Sequence, residues 1–110
     1  MKVKSELARI VSGFAGEIIG FYKAMVFCGR EFVISKRLLK SGSEIDSCFK
    51  NCQMDSAYKR AVETEFWLRM AKSCGYKKLL GVDGSEKNVD YLLLKARSLV
   101  ELLDEKETAL

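Results

Sequence analysis

Few residues in this chain are of a type and spacing that could do chemistry. Four cysteines stand at positions 28, 48, 52 and 74. Cys48 and Cys52 are spaced i, i+4, which on a helix sets two thiols on one face. A structural zinc needs four ligands, and the chain has no histidine to supply the other two. Free cysteine also packs as a small hydrophobe, and the four are read that way, as apolar core or interface residues with no metal and no disulfide. Glu63 and Glu65 are two apart, so a helix points them in different directions and they cannot act as a carboxylate dyad. No glycine loop that would cradle a phosphate and no nucleophile motif accompanies them. The sequence therefore predicts a protein that is not an enzyme and carries no cofactor.

Charge is the stronger lead. Residues 1–78 hold 15 Lys and Arg against 8 acids, net +7, while residues 79–110 hold 4 against 7, net −3, together the chain's +4. Lys36, Arg37 and Lys40 cluster in one segment, Lys59 and Arg60 open the next, and Arg69, Lys72, Lys77 and Lys78 crowd its end. Such a distribution fits a footprint for the phosphates of DNA or RNA, with Lys36, Lys40, Lys59, Arg60, Arg69 and Lys72 as the binding residues. It equally fits a solvated face neutralised by Glu101, Asp104, Glu105 and Glu107, from the same chain or a neighbouring one. Trp67 sits beside the basic residues at the margin of an apolar stripe, the usual place of a tryptophan buried in a core or subunit interface.

Four helical segments must position these groups. In the first, Val3, Leu7, Ile10, Phe14, Ile18, Phe21 and Met25 recur at helical spacing up to Gly29, a stop signal. Gly13, Gly16 and Gly20 lie on it, each costing about 1 kcal/mol relative to alanine, so the three point to a close approach by another helix, with plain tolerance as the alternative. The second, REFVISKRLLKSGSEIDSCF, carries Val33 or Ile34, Leu38, Ser41, Ile45 and Cys48 or Phe49 along one side; read locally, KSGSE breaks it. The third aligns Ala57, Ala61, Thr64, Leu68 and Ala71, with Asp55 or Ser56 as N-cap and Gly75 as stop. A loop, KKLLGVDGSEKN, offers Asp83 and Glu86 at capping-box spacing. The last helix runs from about Ser85 and has the cleanest stripe, Val89, Leu92, Leu93, Ala96, Leu99, Val100 and Leu103. Short connections make these an all-α, antiparallel up-down four-helix bundle, a single domain over residues 1–110.

Composition agrees with that class. The chain is 48% hydrophobic and 31% charged, without proline, a globular balance that leaves long stretches free to be helical. No run of about 18 uninterrupted apolar residues is expected to span a bilayer. Glu6, Arg9 and Glu17 interrupt the first apolar pattern, unlike the core of a signal peptide, so the expected location is cytoplasmic, with no membrane partner.

Two motifs then carry a resemblance: the Ser41–Gly42 pair after LLK, and ETEFWL at residues 63–68. The chain resembles the four-helix-bundle family first named for proteins encoded in intervening sequences of bacterial 23S ribosomal RNA genes, whose pattern is Glu-Thr-x-aromatic-Trp-Leu. The resemblance implies that Ser41 and Gly42 lie inside a continuous helix rather than at a break. It also implies that Ser41, Gly42, Glu63 and Trp67 are core or interface residues, with Glu63 in polar contact with a neighbouring helix through Lys40 or Ser41; the residue type alone fits a solvated surface glutamate equally well. Roughly three helical turns are missing between SGSEI and AYKR relative to family members, so one end of the bundle, between helices 2 and 3, should be shortened. Arg60 stands where an acidic residue is common. More distantly, the chain is similar to the accessory proteins of diversity-generating retroelements, which form five-subunit barrels and bind nucleic acid and a reverse transcriptase. The resemblance thus implies a homo-oligomer, a ring of five. Three function classes follow: an oligomeric nucleic-acid-binding bundle, a scaffold for a protein partner, and, on the cysteines alone, a thiol or metal-dependent enzyme.

Overall fold

The computed structural model describes residues 2–108, with side chains described from Glu6 to Glu105. Helices α1 (Lys2–Phe27), α2 (Ile34–Lys50) and α3 (Met54–Ser73) follow one another up and down. A two-stranded antiparallel hairpin, β1 (Lys78–Leu80) and β2 (Glu86–Asn88), then leads into α4 (Val89–Thr108). Each helix packs on its sequence neighbours, and α1 meets α4 more loosely. At 1.5 Å per residue the 26 residues of α1 span roughly 39 Å and the 17 of α2 roughly 25 Å. The α2–α3 end is therefore the short one, and the particle measures 42 × 23 × 21 Å.

The core is built by the stripes seen in the sequence. Val11, Ile18, Phe21 and Met25 of α1, Leu38 and Ile45 of α2, Ala57, Ala61 and Leu68 of α3, and Val89, Ala96 and Leu103 of α4 are fully buried. Ile10 is not among them, being half exposed in a groove between α1 and α4. Val3 lies outside the residues whose side chains are described. The stretch Glu6–Phe27 is long and apolar enough by length and composition to cross a membrane, counting its glycines, and here its buried side faces the other helices.

The helix ends correct several local expectations. α2 is continuous through Ser41 and Gly42. A methyl group on Gly42 would come 2.6 Å from Ile18 Cγ2, so the absent side chain is what lets α1 and α2 approach. The close approach expected at Gly13 and Gly16 is absent, since nothing lies within 4 Å of a Cβ at either; at Gly20 only the Lys87 side chain comes near. Gly29 is not needed for backbone freedom. It is needed for room, because a Cβ there would meet the Met25 carbonyl at 2.9 Å and the Tyr76 ring at 3.0 Å. The left-handed residue that ends α1 is Arg30, φ 56°. Glu31 then starts α2, its carboxylate accepting from the backbone N–H of Val33, Ile34 and Ser35 at 3.1, 2.8 and 2.7 Å. Burial pushes this carboxyl up, but the three donors outweigh it and hold it below its ordinary value.

α3 begins at Met54, before the expected caps Asp55 and Ser56, and Gln53 occupies the N-cap position. Its stop is the expected one: Gly75 takes φ 94°, and Tyr76 N–H returns to the Ala71 carbonyl. Asp83 does not cap a helix with Glu86. It closes the hairpin turn by accepting from the backbone N–H and hydroxyl of Ser85, and α4 starts later than expected, with Asn88 Oδ1 accepting from Asp90 N–H.

Candidate nucleic-acid interface

The basic residues singled out in the sequence fall into two groups according to whether a carboxylate already holds them. Lys36, Arg37 and Lys40 lie exposed on α2, within about one turn of each other. Among the described residues no carboxylate pairs with any of the three. Arg37 instead lies over the Trp67 ring of α3, 5.7 Å from its centroid. A guanidinium stacked in this way keeps its N–H edges available for a second group such as phosphate.

The second group is neutralised. Arg60 bridges Glu44 at 3.4 Å and Glu63 at 3.3 Å. Arg69 binds Glu65 at 2.9 Å. Lys72 binds Asp90 at 2.7 Å, with Lys77 on the other oxygen at 3.5 Å. The hydrogen bond from Lys72, more than the charges around it, holds the Asp90 carboxyl below its ordinary value. Lys59 has no such partner, but it shares the outer side of α3 with Val62 and Phe66, three and seven residues on, and so faces away from the Lys36–Lys40 cluster.

The ETEFWL segment is arranged differently from what the resemblance implied. Glu63 reaches neither Lys40 nor Ser41; it is 42% exposed and pairs with Arg60. Thr64 makes the inter-helix contact, its hydroxyl 2.8 Å from the fully buried Ser41 hydroxyl and 2.8 Å from the Arg60 carbonyl oxygen. Glu65 is the buried acid, 7% exposed, set between Arg69 and, across on α4, Arg97 at 3.4 Å. Trp67 is half buried against the core, and Phe66, exposed beside it, meets it edge to face at 5.0 Å. Glu65 was findable, since Glu65–Arg69 is an i, i+4 pair. The Arg37–Trp67 stack was not, because it joins positions 30 residues apart.

The cysteines also depart from expectation. Cys28, Cys52 and Cys74 are exposed, Cys48 alone packs against the core, and all four are unbonded. Cys52 serves the backbone, holding φ 59° in the tight α2–α3 turn. Among the described residues no three Cys, Asp or Glu side chains come together as a metal-ligand set.

The fold has a solved counterpart. The chain is similar to a crystal structure described as a protein with unknown function from the S23 ribosomal protein family of Bacteroides thetaiotaomicron, with a TM-score of 0.79, 24% identity, and 96% of each chain covered. That family is the 23S rRNA intervening-sequence family whose motifs the sequence resembles, and the likeness shows a shared all-α bundle. Neither a protein-family model nor a curated protein matches the chain.

Proposed function

We propose that this protein is a non-enzymatic, self-associating helical bundle, a ring of five as the resemblance implies, that holds DNA or RNA by its phosphates without strong sequence preference. The observation that supports it is the exposed Lys36, Arg37 and Lys40 cluster on α2, three cations within about one turn that no carboxylate among the described residues neutralises. Elsewhere the same chain pairs Arg60, Arg69 and Lys72 with acids. The proposed contact surface therefore leaves out those three, and Lys59 as well because it lies on the outer side of α3, and narrows to α2.

Three weak contacts per subunit become useful when repeated around an assembly, because each further contact is intramolecular. Each neutralised phosphate on duplex DNA contributes a slope of about −0.9 to log K against log salt, so binding is lost steeply between low and physiological salt. Fluorescence anisotropy with random-sequence duplex DNA and structured RNA at low salt tests this. Lys36→Glu with Lys40→Glu should weaken binding to every sequence alike, since phosphate contacts position without specifying, while Lys72→Glu should change it little. Absence of binding at micromolar protein, or equal loss from both variants, overturns the reading.

A scaffold for a protein partner is the second reading. It is favoured by exposed apolar side chains in and beside the loops at one end of the bundle, Phe27, Phe32, Val33, Leu80 and Val82, and co-purification of a partner lost on Val33→Asp would support it.

A further inference from the structure

Among the described residues, two apolar surfaces are left uncovered. One is a groove between α1 and α4 of about 570 Å³, walled by Ile10, Phe14, Tyr91, Leu94 and Leu102, with Gly13 in its lining. Ile10, Tyr91 and Leu94 are 47%, 50% and 72% exposed. The other is a ridge on the outer side of α3, where Val62, Phe66 and Met70 recur every four residues, all exposed. Groove and ridge belong to different helices and differ in shape, one concave and one convex.

Resting on the self-association proposed above, we propose that the α1–α4 groove of one copy receives the α3 ridge of the next, with Phe66 seated over Gly13. The space fits, because a Cβ on Gly13 meets nothing within 4 Å and the backbone there is open to a ring. The charges fit as well. Lys59 stands seven residues before Phe66 and Glu6 seven before Gly13, two helical turns in each case, about 10 Å. With the two helices parallel, Lys59 of one copy falls opposite Glu6 of the other, and among the described residues neither has a partner in its own chain. A contact in which one surface meets a different one is heterologous, and it closes into a ring or runs on as a filament. The α2 cations remain on the free surface in either case.

The test uses two variants that each destroy one half of the contact. Gly13→Phe fills the groove and keeps the ridge; Phe66→Glu spoils the ridge and keeps the groove. Each alone should run as one chain mass in light scattering, with the helical circular dichroism of the native protein. Mixed in equal amounts they should give a species of two chain masses that grows no further. Lys59→Glu should weaken assembly of the native protein by roughly threefold to tenfold, and Glu6→Lys in the same chain should restore it. If both variants assemble like the native protein, or if folded monomers fail to pair on mixing, the ridge-in-groove contact is overturned while self-association stands. If the native protein is itself a monomer, both fall.

Discussion

The two seams that α1 makes with its neighbours use glycine in opposite ways. Against α2 the glycine is on the partner, Gly42, and Ile18 is pressed into the space its side chain would fill. Toward α4 the glycine is on α1 itself, and a Cβ on Gly13, in the lining of the groove, would meet nothing within 4 Å. The first seam is closed by packing, with the Ser12 hydroxyl donating across it to Asp46 at 3.0 Å; the second is held at its edge by Lys95 and Glu17 at 2.8 Å and otherwise left open. The hydrogen bond to Glu17, more than that to Tyr91, raises the Lys95 pKa above its ordinary value. A glycine in a helix interior costs about 1 kcal/mol. On the closed side the return is visible inside the chain, and on the open side it is not, which directs attention to what lies outside it.

That contrast can be broken by substitution. Gly42→Val should have the largest effect, destabilising the fold by about 3 kcal/mol, because Ile18 is fully buried and has nowhere to move. A two-state urea or thermal melt reads it, and a loss below about 0.5 kcal/mol would mean that α1 and α2 can separate freely. In the Phe66→Glu background, where the seam is uncovered, Gly13→Ala and Gly16→Ala should do the reverse, each stabilising the folded chain by about 1 kcal/mol in the same melt, since both gain helix propensity and clash with nothing in the chain. Destabilisation by either would place a neighbour on the open seam within the single chain.

Acid should act on the ends of the bundle before its seams, with the smallest effect. The Ser85 hydroxyl first, then the Ser85 backbone N–H and Lys87, hold the Asp83 carboxyl down to about 2 from an ordinary 3.8. A depressed carboxyl contributes stability that is present above its unfolded value and lost as pH falls through the folded one. The hairpin should therefore loosen between about pH 4 and pH 2, and Glu31, also depressed, should release the start of α2 below its ordinary 4.5. Amide protection factors at Ser85 and Ser35, corrected for the intrinsic exchange rate at each pH, that stay constant across this range would mean that neither carboxylate holds its segment.

How much of this was legible in the sequence follows the same division. Periodicity located the four helices and nearly all of the core, because a stripe at helical spacing is a local signal that burial obeys. The continuity of α2 was not local. KSGSE has the composition of a break, and it is helical because Ile18, 24 residues away, takes the space over Gly42. The hairpin was missed for a similar reason: Asp83 and Glu86 have capping-box spacing, but Asp83 is turned back onto Ser85 by the tight turn between the strands. At the basic surface the sequence supplied the residue types and not their partners. Arg69 and Lys72 look like phosphate ligands until Glu65 and Asp90 are placed beside them, and Lys36 and Lys40 look no different from them in sequence.

The central claim is that the open α1–α4 seam is completed by another copy. Light scattering coupled to size exclusion, on the native protein at micromolar concentration, tests it most directly. The account predicts a single species at a multiple of the 12.4 kDa chain mass, which Phe66→Glu reduces to one chain; a native protein that runs at 12.4 kDa would contradict it.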